Sequence, residues 1–507
     1  MSIYAGSDGR SETRRGRFMI VATAIASLGL LVSACGGSGE SDEKARRNSP
    51  NEETRRADPE NCPVAALDEA TNPVEITVWH AYFALSKQAM EKTVEEYNAS
   101  QDKVKVNLES QGYYPEMQEK YEDRLSDPSQ LPDVIFANNT AFRVMVDSDS
   151  VIPADDCIAA DADAKAFYDE LLPVVRQTYS VQDTLWPASF TMSMPVLYVN
   201  QTLLSKAGVD ESTPMNTLAD VRAVAEKIKA ANIPGLEAPL SMELYSSWWE
   251  TWITGAGETI VNENNGHDGL ATKSTLDNKA ALETLEWLKS MYDDGLLKAY
   301  PESNGLDHVF AIANKSAAML IEGSLGLTSV NAVAQSGAGA VEEAEGIDPA
   351  DLEGLVGEVR MFPGVNKVGQ VNAAASAGFV VAGQDPQKVA AAWDFLQFFN
   401  GTTSQIRWTT MGSSLPVTNA VRNSPEIKDY FANDSGGKLL KVADDQFVAL
   451  GLDNPTPIIG PFDWFRAETH SLLGRVVLQH KDPKTELDKM DSAFQSALDE
   501  YRQEVGG

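Results

Sequence analysis

Aromatic side chains, hydroxyls and amides follow the first three predicted strands of this sequence. The chain has 507 residues, and nine of them are tryptophan. Aromatic faces stack on the C–H faces of sugars, and hydroxyls and amides bond sugar hydroxyl groups. The side chains placed in this way are Trp79, His80, Tyr82, Tyr114, Asn138 and Asn139. This pattern favours the binding of a small polar solute.

The sequence lacks the motifs that would indicate a reaction. It contains no G-x-S-x-G, no P-loop and no H-E-x-x-H, and its five histidines do not have the spacing of metal ligands. A pair of acids could serve a secreted glycoside hydrolase, but among 74 acidic residues such a pair carries no information. Asn262, Asn264 and Asp268 resemble a calcium loop without its closing Glu, so we predict a plain turn. We expect no enzyme activity, metal or other cofactor, and keep the hydrolase as a remote alternative.

The formal net charge of −33 argues against two classes of partner. Nucleic acids and anionic membrane surfaces attract basic patches, and so acidic a chain does not offer them. Acidity otherwise favours solubility and does not identify a ligand. We therefore expect a small-molecule partner and no nucleic acid.

The N-terminus has the features of a lipoprotein signal peptide, predicted over residues 1–34. Basic residues precede an apolar stretch from Phe18 to Val32, which is short for a membrane span. Small residues then lead to Cys35, as in a bacterial lipobox, so we expect Cys35 to carry lipid and anchor the protein on the outer face of the cell membrane. The alternative is ordinary secretion with an unmodified Cys35. Residues 35–61 are almost free of apolar side chains and are predicted to form a disordered tether.

Two further cysteines, Cys62 and Cys157, follow the tether. An exported protein folds in an oxidising compartment, where two cysteines more often pair than not. We predict a disulfide between them. Two buried free thiols are the alternative.

Strands and helices alternate regularly from Pro73 to Ala137. Apolar alternation predicts strands over 73–80 and 103–108, and the run at 131–137 predicts a third strand buried on both faces. Helices are predicted between them at 86–100 and 115–125. This order is typical of an α/β fold with a mainly parallel sheet. Ligands of such sheets meet the loops beyond the carboxyl ends of the strands. A longer helix is predicted over Asp163–Tyr179.

The stretch from Leu185 to Gly208 carries two hydroxyls, Thr191 and Ser193, ahead of a short apolar strand at 195–199. Asn200 suits the N-cap of the helix that follows. One interpretation is an ordinary strand–helix unit. The other is a crossing from one lobe to another, with both hydroxyls exposed in a cleft.

Two segments resemble a known family. PVLYVNQTLLSKAG, at 195–208, is similar to the crossover segment of the extracellular solute-binding proteins of ABC importers, in the branch of the maltose-type and glycerol-phosphate-type proteins. F-x3-N-K-x-A-A-M-x3-G-S, from Phe310 to Ser324, matches the same family. The resemblance implies a periplasmic-binding-protein-like fold of two α/β lobes with a ligand cleft between them. It implies one lobe of residues 62–190 and 371–415, another of 195–365 and 416–507, and a monomer that delivers its solute to a membrane permease.

The resemblance also implies ligand residues. Tyr114, Ser193 and Ser324 match positions that bind ligand in the glycerol-phosphate-binding branch, but three other matches fail. An acid there is replaced by Asn138-Asn139, a tyrosine by Ser414, and the arginine that holds phosphate falls near Ile458. This favours a neutral sugar or oligosaccharide, while a glycerol phosphate or glycerophosphodiester bound by Arg466 is the alternative.

The tryptophans complete the expected site. Trp464 lies in a predicted loop, Asp453–Trp464, that looks like the loop supplying a stacking aromatic in maltose-type proteins. Trp248 and Trp249 are also predicted to lie in a cleft loop. We expect Trp464 and one of this pair to face Trp79, Tyr114 and Asn138 across the cleft. The remaining candidate ligand residues are Thr191, Tyr245, Gly323, Ser376, Ser414, Asp463 and Arg466.

Overall fold

The computed structural model describes residues 55–301, 307–327, 331, 358–369, 372, 376–453 and 455–506. The predicted signal peptide, Cys35 and tether residues 35–54 lie outside the described residues. Within these ranges, no helix combines the length and the apolar character needed to cross a membrane.

The described strands are short and mostly buried. They are β1 Val74–His80, β2 Val104–Ser110, β3 Val134–Asn138, β4 Val151–Ile152, β5 Ser180–Val181, β6 Thr184–Leu185, β7 Ser189–Thr191, β8 Pro195–Val199, β9 Ala238–Glu243, β10 Leu297–Tyr300, β11 Ala317–Gly323, β12 Glu358–Met361 and β13 Ser376–Val381.

Helices cover the faces of the sheets and form most of the C-terminal part. They are α1 Ala84–Ser100, α2 Tyr114–Glu122, α3 Asn139–Asp147, α4 Ala154–Ala160, α5 Lys165–Asp169, α6 Pro173–Thr178, α7 Gln201–Lys206, α8 Leu218–Ala230, α9 Ser246–Gly255, α10 Lys279–Asp293, α11 Asp307–Ala313, α12 Pro386–Asn400, α13 Thr402–Thr410, α14 Asn419–Arg422, α15 Pro425–Asn433, α16 Ser435–Val448, α17 Phe462–Leu473 and α18 Pro483–Glu504. Shorter 3₁₀ turns lie at Pro59–Asn61, Val64–Glu69, Pro128–Gln130 and Ser324–Gly326, and Gly474–Leu478 is π-helical.

Two separate sheets give the molecule its two α/β lobes. The first has the order β2-β1-β3-β13-β4, with β7 also paired to β13. The second has the order β10-β9-β11-β8-β12. β1, β2 and β3 are parallel, as the alternation in the sequence predicts, and β13 returns antiparallel to β3. We call each sheet with its helices a lobe; the segment boundaries predicted for the lobes stay a prediction.

The chain passes from the first sheet to the second at residues 192–194, as predicted. Thr191 and Ser193 were expected to be exposed in a cleft, but both are buried because they bond neighbouring protein groups. β7 ends in the first sheet at Thr191 and β8 begins in the second at Pro195. The passing segment is held from both sides: Leu415 N–H donates to the carbonyl of Met192 at 2.9 Å, and Ser324 N–H donates to that of Met194 at 2.9 Å. Backbone bonds therefore tie this passing segment to chain on both sides.

Three secondary-structure predictions are wrong. The helix predicted over Asp163–Tyr179 is two helices, α5 and α6, because Pro173 has no N–H to continue the first and instead starts the second. Trp248 and Trp249, predicted in a loop, lie in α9. Trp464, also predicted in a loop, lies in the first turn of α17.

The turn predicted around Asn265 is confirmed. Glu263, Asn264 and Asn265 all have φ between 51° and 56°, in the left-handed region that asparagine tolerates. Asn265 further bonds the backbone N–H of Ile260 at 2.8 Å, so the turn is a built element of the second lobe.

The folded chain begins earlier than the predicted end of the tether. Arg55 donates two bonds to the buried carboxylate of Asp156 in α4, at 2.6 and 2.5 Å. The same carboxylate accepts from the N–H of Asp58 and the amide of Asn61, both at 2.8 Å. Residues 55–61 are therefore fixed on the first lobe, because a buried charge with four donors is well satisfied.

The predicted disulfide is confirmed. Cys62 and Cys157 are bonded, with Cα atoms 5.0 Å apart and a sequence separation of 95. Both are buried. The bridge lies beside the hydrogen bonds to Asp156. Two independent contacts therefore hold residues 55–62 to α4.

Candidate functional site

Four polar side chains of the first lobe meet where its strands end. The pairing of β13 with β3 and with β7 sets Ser376 opposite both Asn138 and Thr191. The hydroxyls of Tyr82 and Thr191 lie 3.2 Å apart, and Thr191 donates to the carbonyl of Ser376 at 2.8 Å. Tyr82 follows β1 directly, so the sheet brings together residues far apart in sequence. These four form one wall of the candidate site.

Tyr114 extends this wall toward the second lobe. It opens α2, and burial raises the pKa of its phenol to about 12, while the nearby hydroxyl of Ser376 opposes this shift and the neighbouring Tyr245 adds to it. Ser376 belongs to the first lobe and Tyr245 to the second. The Tyr114 hydroxyl is thus neutral and lies where the two lobes approach each other.

Ser193 and Ser324, predicted as ligand residues, meet at the passing segment. Their hydroxyl oxygens lie 3.2 Å apart. Ser193 Oγ accepts from the N–H of Leu325 at 3.3 Å, and Ser324 Oγ accepts from the N–H of Met194 at 3.3 Å. The neighbouring Gly323 donates its N–H to the carboxylate of Glu322. Both hydroxyls therefore already bond protein groups of the passing segment and the β11 end.

The second wall is built on α9 and α17. The ring of Tyr245 packs against Trp248 at 5.5 Å and against His470 at 5.7 Å, and the guanidinium of Arg466 lies 5.1 Å from its centre. Trp248 is only 6% exposed, and its indole N–H has no partner within the described chain. A buried indole donor without a partner is uncommon and is available to a ligand.

Glu250, two residues after Trp248, was not among the predicted site residues. It is buried, and burial raises the pKa of its carboxyl to about 7, opposed by the hydroxyl of Ser246 and the charge of Arg466. Its Oε1 atom has no hydrogen-bond partner among the described residues. The sequence signal that could have revealed Glu250 is its position as an acidic residue within the mainly apolar segment Trp248–Ile253.

A direct bond joins the two walls. Gln118 of α2 donates its amide to Asp463 Oδ2 of α17 at 2.7 Å. The surrounding protein raises the pKa of Asp463 to about 6, first by desolvation and then by the charge of Glu122. Gln118, also missed in the sequence, lies four residues after Tyr114 and so on the same face of its helix.

Several predicted aromatic residues do not join this cluster. Trp79 is 2% exposed, donates to Glu109 at 3.0 Å, and is covered by Lys120 and Arg124. Trp249 is fully buried, and its indole faces the carbonyl of Ala281 at 3.3 Å. Of the adjacent pair, Trp248 is therefore the one beside the other candidates.

Trp464 lies outside this cluster. Its ring stacks on Phe494 of α18 with centres 6.1 Å apart, and 37% of the residue is exposed. Its neighbours Asp463 and Arg466 lie in the cluster instead. The helix explains this, because a side chain one position along in a helix points about 100° away.

Three predicted polar residues act locally. His80 is buried and its Nδ1 accepts from the N–H of Tyr82 at 3.1 Å; burial, with the charge of Lys87, lowers the pKa of the imidazole to about 4. Ser414 accepts from the N–H of Met192 at 3.0 Å and so fixes the passing segment. Asn139 is the half-buried first residue of α3.

The described part of the chain has no group of three or more His, Cys, Asp or Glu side chains placed to hold a metal ion. The candidate site instead combines phenols, serine and threonine hydroxyls, one indole and two carboxyls with raised pKa values. Such a set can hydrogen-bond hydroxyl groups and pack against apolar faces.

Curated relatives are distant but cover most of the chain. The sn-glycerol-3-phosphate-binding periplasmic protein UgpB of Brucella abortus (strain 2308) is 23% identical over 376 residues, which is 73% of this chain and 80% of that protein. UgpB of Escherichia coli (strain K12) is 22% identical over 387 residues, 74% of this chain and 81% of that one.

Solved structures have the same fold. The GacH receptor of Streptomyces glaucescens, studied with acarbose, has a TM-score of 0.67 at 18% identity and covers 85% of this chain and 99% of its own. UgpB from Mycobacterium tuberculosis, in complex with glycerophosphocholine, has a TM-score of 0.66 at 14% identity with the same coverage.

A family description matches more than half of the sequence. Residues 92–434 match the bacterial extracellular solute-binding proteins. This range contains strands of both sheets, the passing segment and most residues of the two walls. The chain therefore belongs to the family of bacterial extracellular solute-binding proteins.

Proposed function

We propose that the protein captures a neutral, hydroxyl-rich solute, a sugar or oligosaccharide, between its lobes and delivers it to the permease of an ABC importer. One observation carries the ligand class: Trp248 Nε1 and Glu250 Oε1 are buried without partners among the described residues. Leaving a buried polar group unpaired costs about 1–3 kcal/mol, so a solute that pairs both groups gains that free energy. An indole donor and a carboxyl acceptor are groups that can hydrogen-bond a sugar's hydroxyls.

Relatives support the transport class and leave the solute open. The names of the curated relatives specify sn-glycerol-3-phosphate, whereas GacH was studied with acarbose and the Mycobacterium tuberculosis protein with glycerophosphocholine. All are binding proteins, and catalysis is not part of our proposal. The solute therefore has to be argued from this chain's own residues.

The charges around Arg466 favour a neutral solute over a phosphate. Phosphate binds most strongly through charge-assisted bonds to a guanidinium. The charge of Arg466 already acts on the carboxyls of both Glu250 and Asp463, and its guanidinium packs on Tyr245. A glycerol phosphate or glycerophosphodiester, the alternative, would have to draw Arg466 away from these partners.

The solute acts by favouring the closed arrangement of the lobes. A ligand that bonds Tyr82, Tyr114 or Ser376 on one wall and Trp248 or Glu250 on the other is bound more tightly when the walls approach. It therefore shifts the population toward closure, with residues 192–194 as a hinge.

We further propose that lipid on Cys35 anchors the protein outside the cell membrane. The basic and apolar segments before this cysteine support the proposal. Cys35→Ala should move the protein from the membrane fraction to the medium, or leave the precursor uncleaved, in a fractionation and immunoblot experiment. Full membrane retention of a cleaved Cys35→Ala protein would contradict the anchor.

The ligand class can be tested by a thermal-shift screen. We expect maltose, trehalose or longer neutral sugars to raise the melting temperature, because a solute at 100 times its Kd adds about 2.7 kcal/mol of stability. Glycerol 3-phosphate and glycerophosphocholine are the matched charged probes. A rise with the phosphate-bearing probes alone would contradict a neutral solute, and hydrolysis of a bound sugar would favour the enzyme alternative.

Trp248→Phe should weaken binding of the best neutral sugar by about tenfold, because it removes one hydrogen-bond donor worth about 1–1.5 kcal/mol. Binding is measured by isothermal titration calorimetry, and the melting temperature without solute should change little. Trp249→Phe is the matched control: it removes the core bond to Ala281 and should lower stability while the affinity of the folded protein is kept. If both variants lost affinity equally, the result would contradict a direct role of Trp248 in binding the solute.

Glu250→Gln should change how stability depends on pH. The folded protein protonates Glu250 below about pH 7, whereas the unfolded chain does so only near its ordinary value of 4.5. Stability of the natural protein therefore falls as pH rises from 4.5 to 7, by about 3 kcal/mol, and the Glu250→Gln variant lacks this loss because its amide does not titrate.

The measurement is urea unfolding without solute at pH 5 and pH 8. Glu250→Gln should be more stable than the natural protein at pH 8 and similar to it at pH 5. Glu286→Gln, on the exposed side of α10, is the control and should show no such difference. A Glu250→Gln variant with the natural pH dependence would show that this carboxyl is not the group that titrates.

A further inference from the structure

Gln118 is one side chain of the first lobe that bonds a carboxylate of the second. Its amide N–H groups donate to Glu122 Oε1 at 2.8 Å, in the same helix, and to Asp463 Oδ2 at 2.7 Å, in the other lobe. Its Oε1 accepts from the hydroxyl of Thr140 at 2.8 Å. Gln118 is buried, and its two donors and its acceptor are all used.

These bonds fix the direction of the amide. If the amide were turned over, its oxygen would face the oxygens of Glu122 and Asp463, and its nitrogen would meet Thr140. The carboxylates of Glu122 and Asp463 lie on opposite sides of the lobe boundary, and the Gln118 amide between them donates a hydrogen bond to each. Without it their like charges would oppose the approach of α2 and α17.

We propose that Gln118 is a closure latch: its bond to Asp463 stabilises the closed arrangement of the two lobes before any solute binds. The proposal rests on the proposed function, since closure around a solute is what the latch would assist. A protein whose binding-competent arrangement is already populated binds more tightly than one that must first reach it. Gln118 would then set affinity without touching the solute.

Other charged groups near this contact come from three elements. Arg466 lies one helical turn from Asp463 in α17, and its charge partly opposes the rise in the pKa of the Asp463 carboxyl. Tyr501 of α18 lies near Glu122 and donates to Asp147 at 2.8 Å. Arg143 of α3 pairs with that Asp147 at 2.8 Å. The groups that directly face Gln118 are therefore Glu122 and Asp463.

Gln118→Glu is the sharpest test, because it replaces the bridging amide by a third carboxylate. Small-angle X-ray scattering of the solute-free protein at pH 8 should show a larger radius of gyration than for the natural protein. At pH 5 the radius should return toward the natural value, because a protonated carboxyl again supplies a donor. Gln88→Glu, the same change on the exposed face of α1, should leave the radius unchanged.

Two more variants make the test independent of folding defects. Gln118→Glu combined with Asp463→Asn restores a donor facing an acceptor, and should regain the natural radius at pH 8. Gln118→Leu removes the bond without adding charge, and should enlarge the radius at both pH values. Circular dichroism checks that each protein is folded.

A natural radius for folded Gln118→Glu at pH 8, or no recovery in the double variant, would overturn the latch. An equal increase in Gln88→Glu would do the same. None of these measurements uses a solute, so a failed ligand screen would count against the proposed solute and leave the latch test intact.

Discussion

Polar groups that are buried where two lobes meet must find partners, and this requirement organises the boundary of this protein. The backbone of residues 192–194 is bonded from both sides, and Ser193 and Ser324 lie against each other. Gln118 bonds Asp463 across the boundary. Trp248 Nε1, Glu250 Oε1 and Ser376 Oγ are among the buried polar atoms that have no hydrogen-bond partner in the described chain, so a solute can supply one.

Much of the fold can be predicted from the sequence, because patterns among neighbouring residues determine individual strands and helices. Alternating apolar residues predict β1 and β2, since a half-buried strand repeats every two residues, and a continuous apolar run predicts the buried β3. The crossing at 192–194 is visible because a continuous apolar strand follows two hydroxyls and precedes the N-cap Asn200. The pairing of β13 with β3 has no local signal, because it joins residues more than 200 positions apart. Pro173 was a readable break within the predicted long helix.

The candidate site was less predictable, for a physical reason. Small hydroxyl residues at strand ends, such as Thr191 and Ser376, had been predicted, and the sheet register sets them side by side. Tryptophans serve cores as readily as ligands, and Trp79 and Trp249 are buried against protein. Gln118 and Glu250 look like ordinary polar helix residues in sequence. Only the packing of another helix against them reveals that they lie at the lobe boundary.

The attachment of residues 55–62 to α4 has a mechanical consequence. Any pull on the chain before Arg55 reaches the first lobe through the bonds to Asp156 and the Cys62–Cys157 bridge. Tension thus ends at a covalent cross-link within one lobe and does not travel through residues 192–194. A protein held by its N-terminal end could bear drag or stretching while the second lobe stays free to swing, so tethering and the capture motion are mechanically independent.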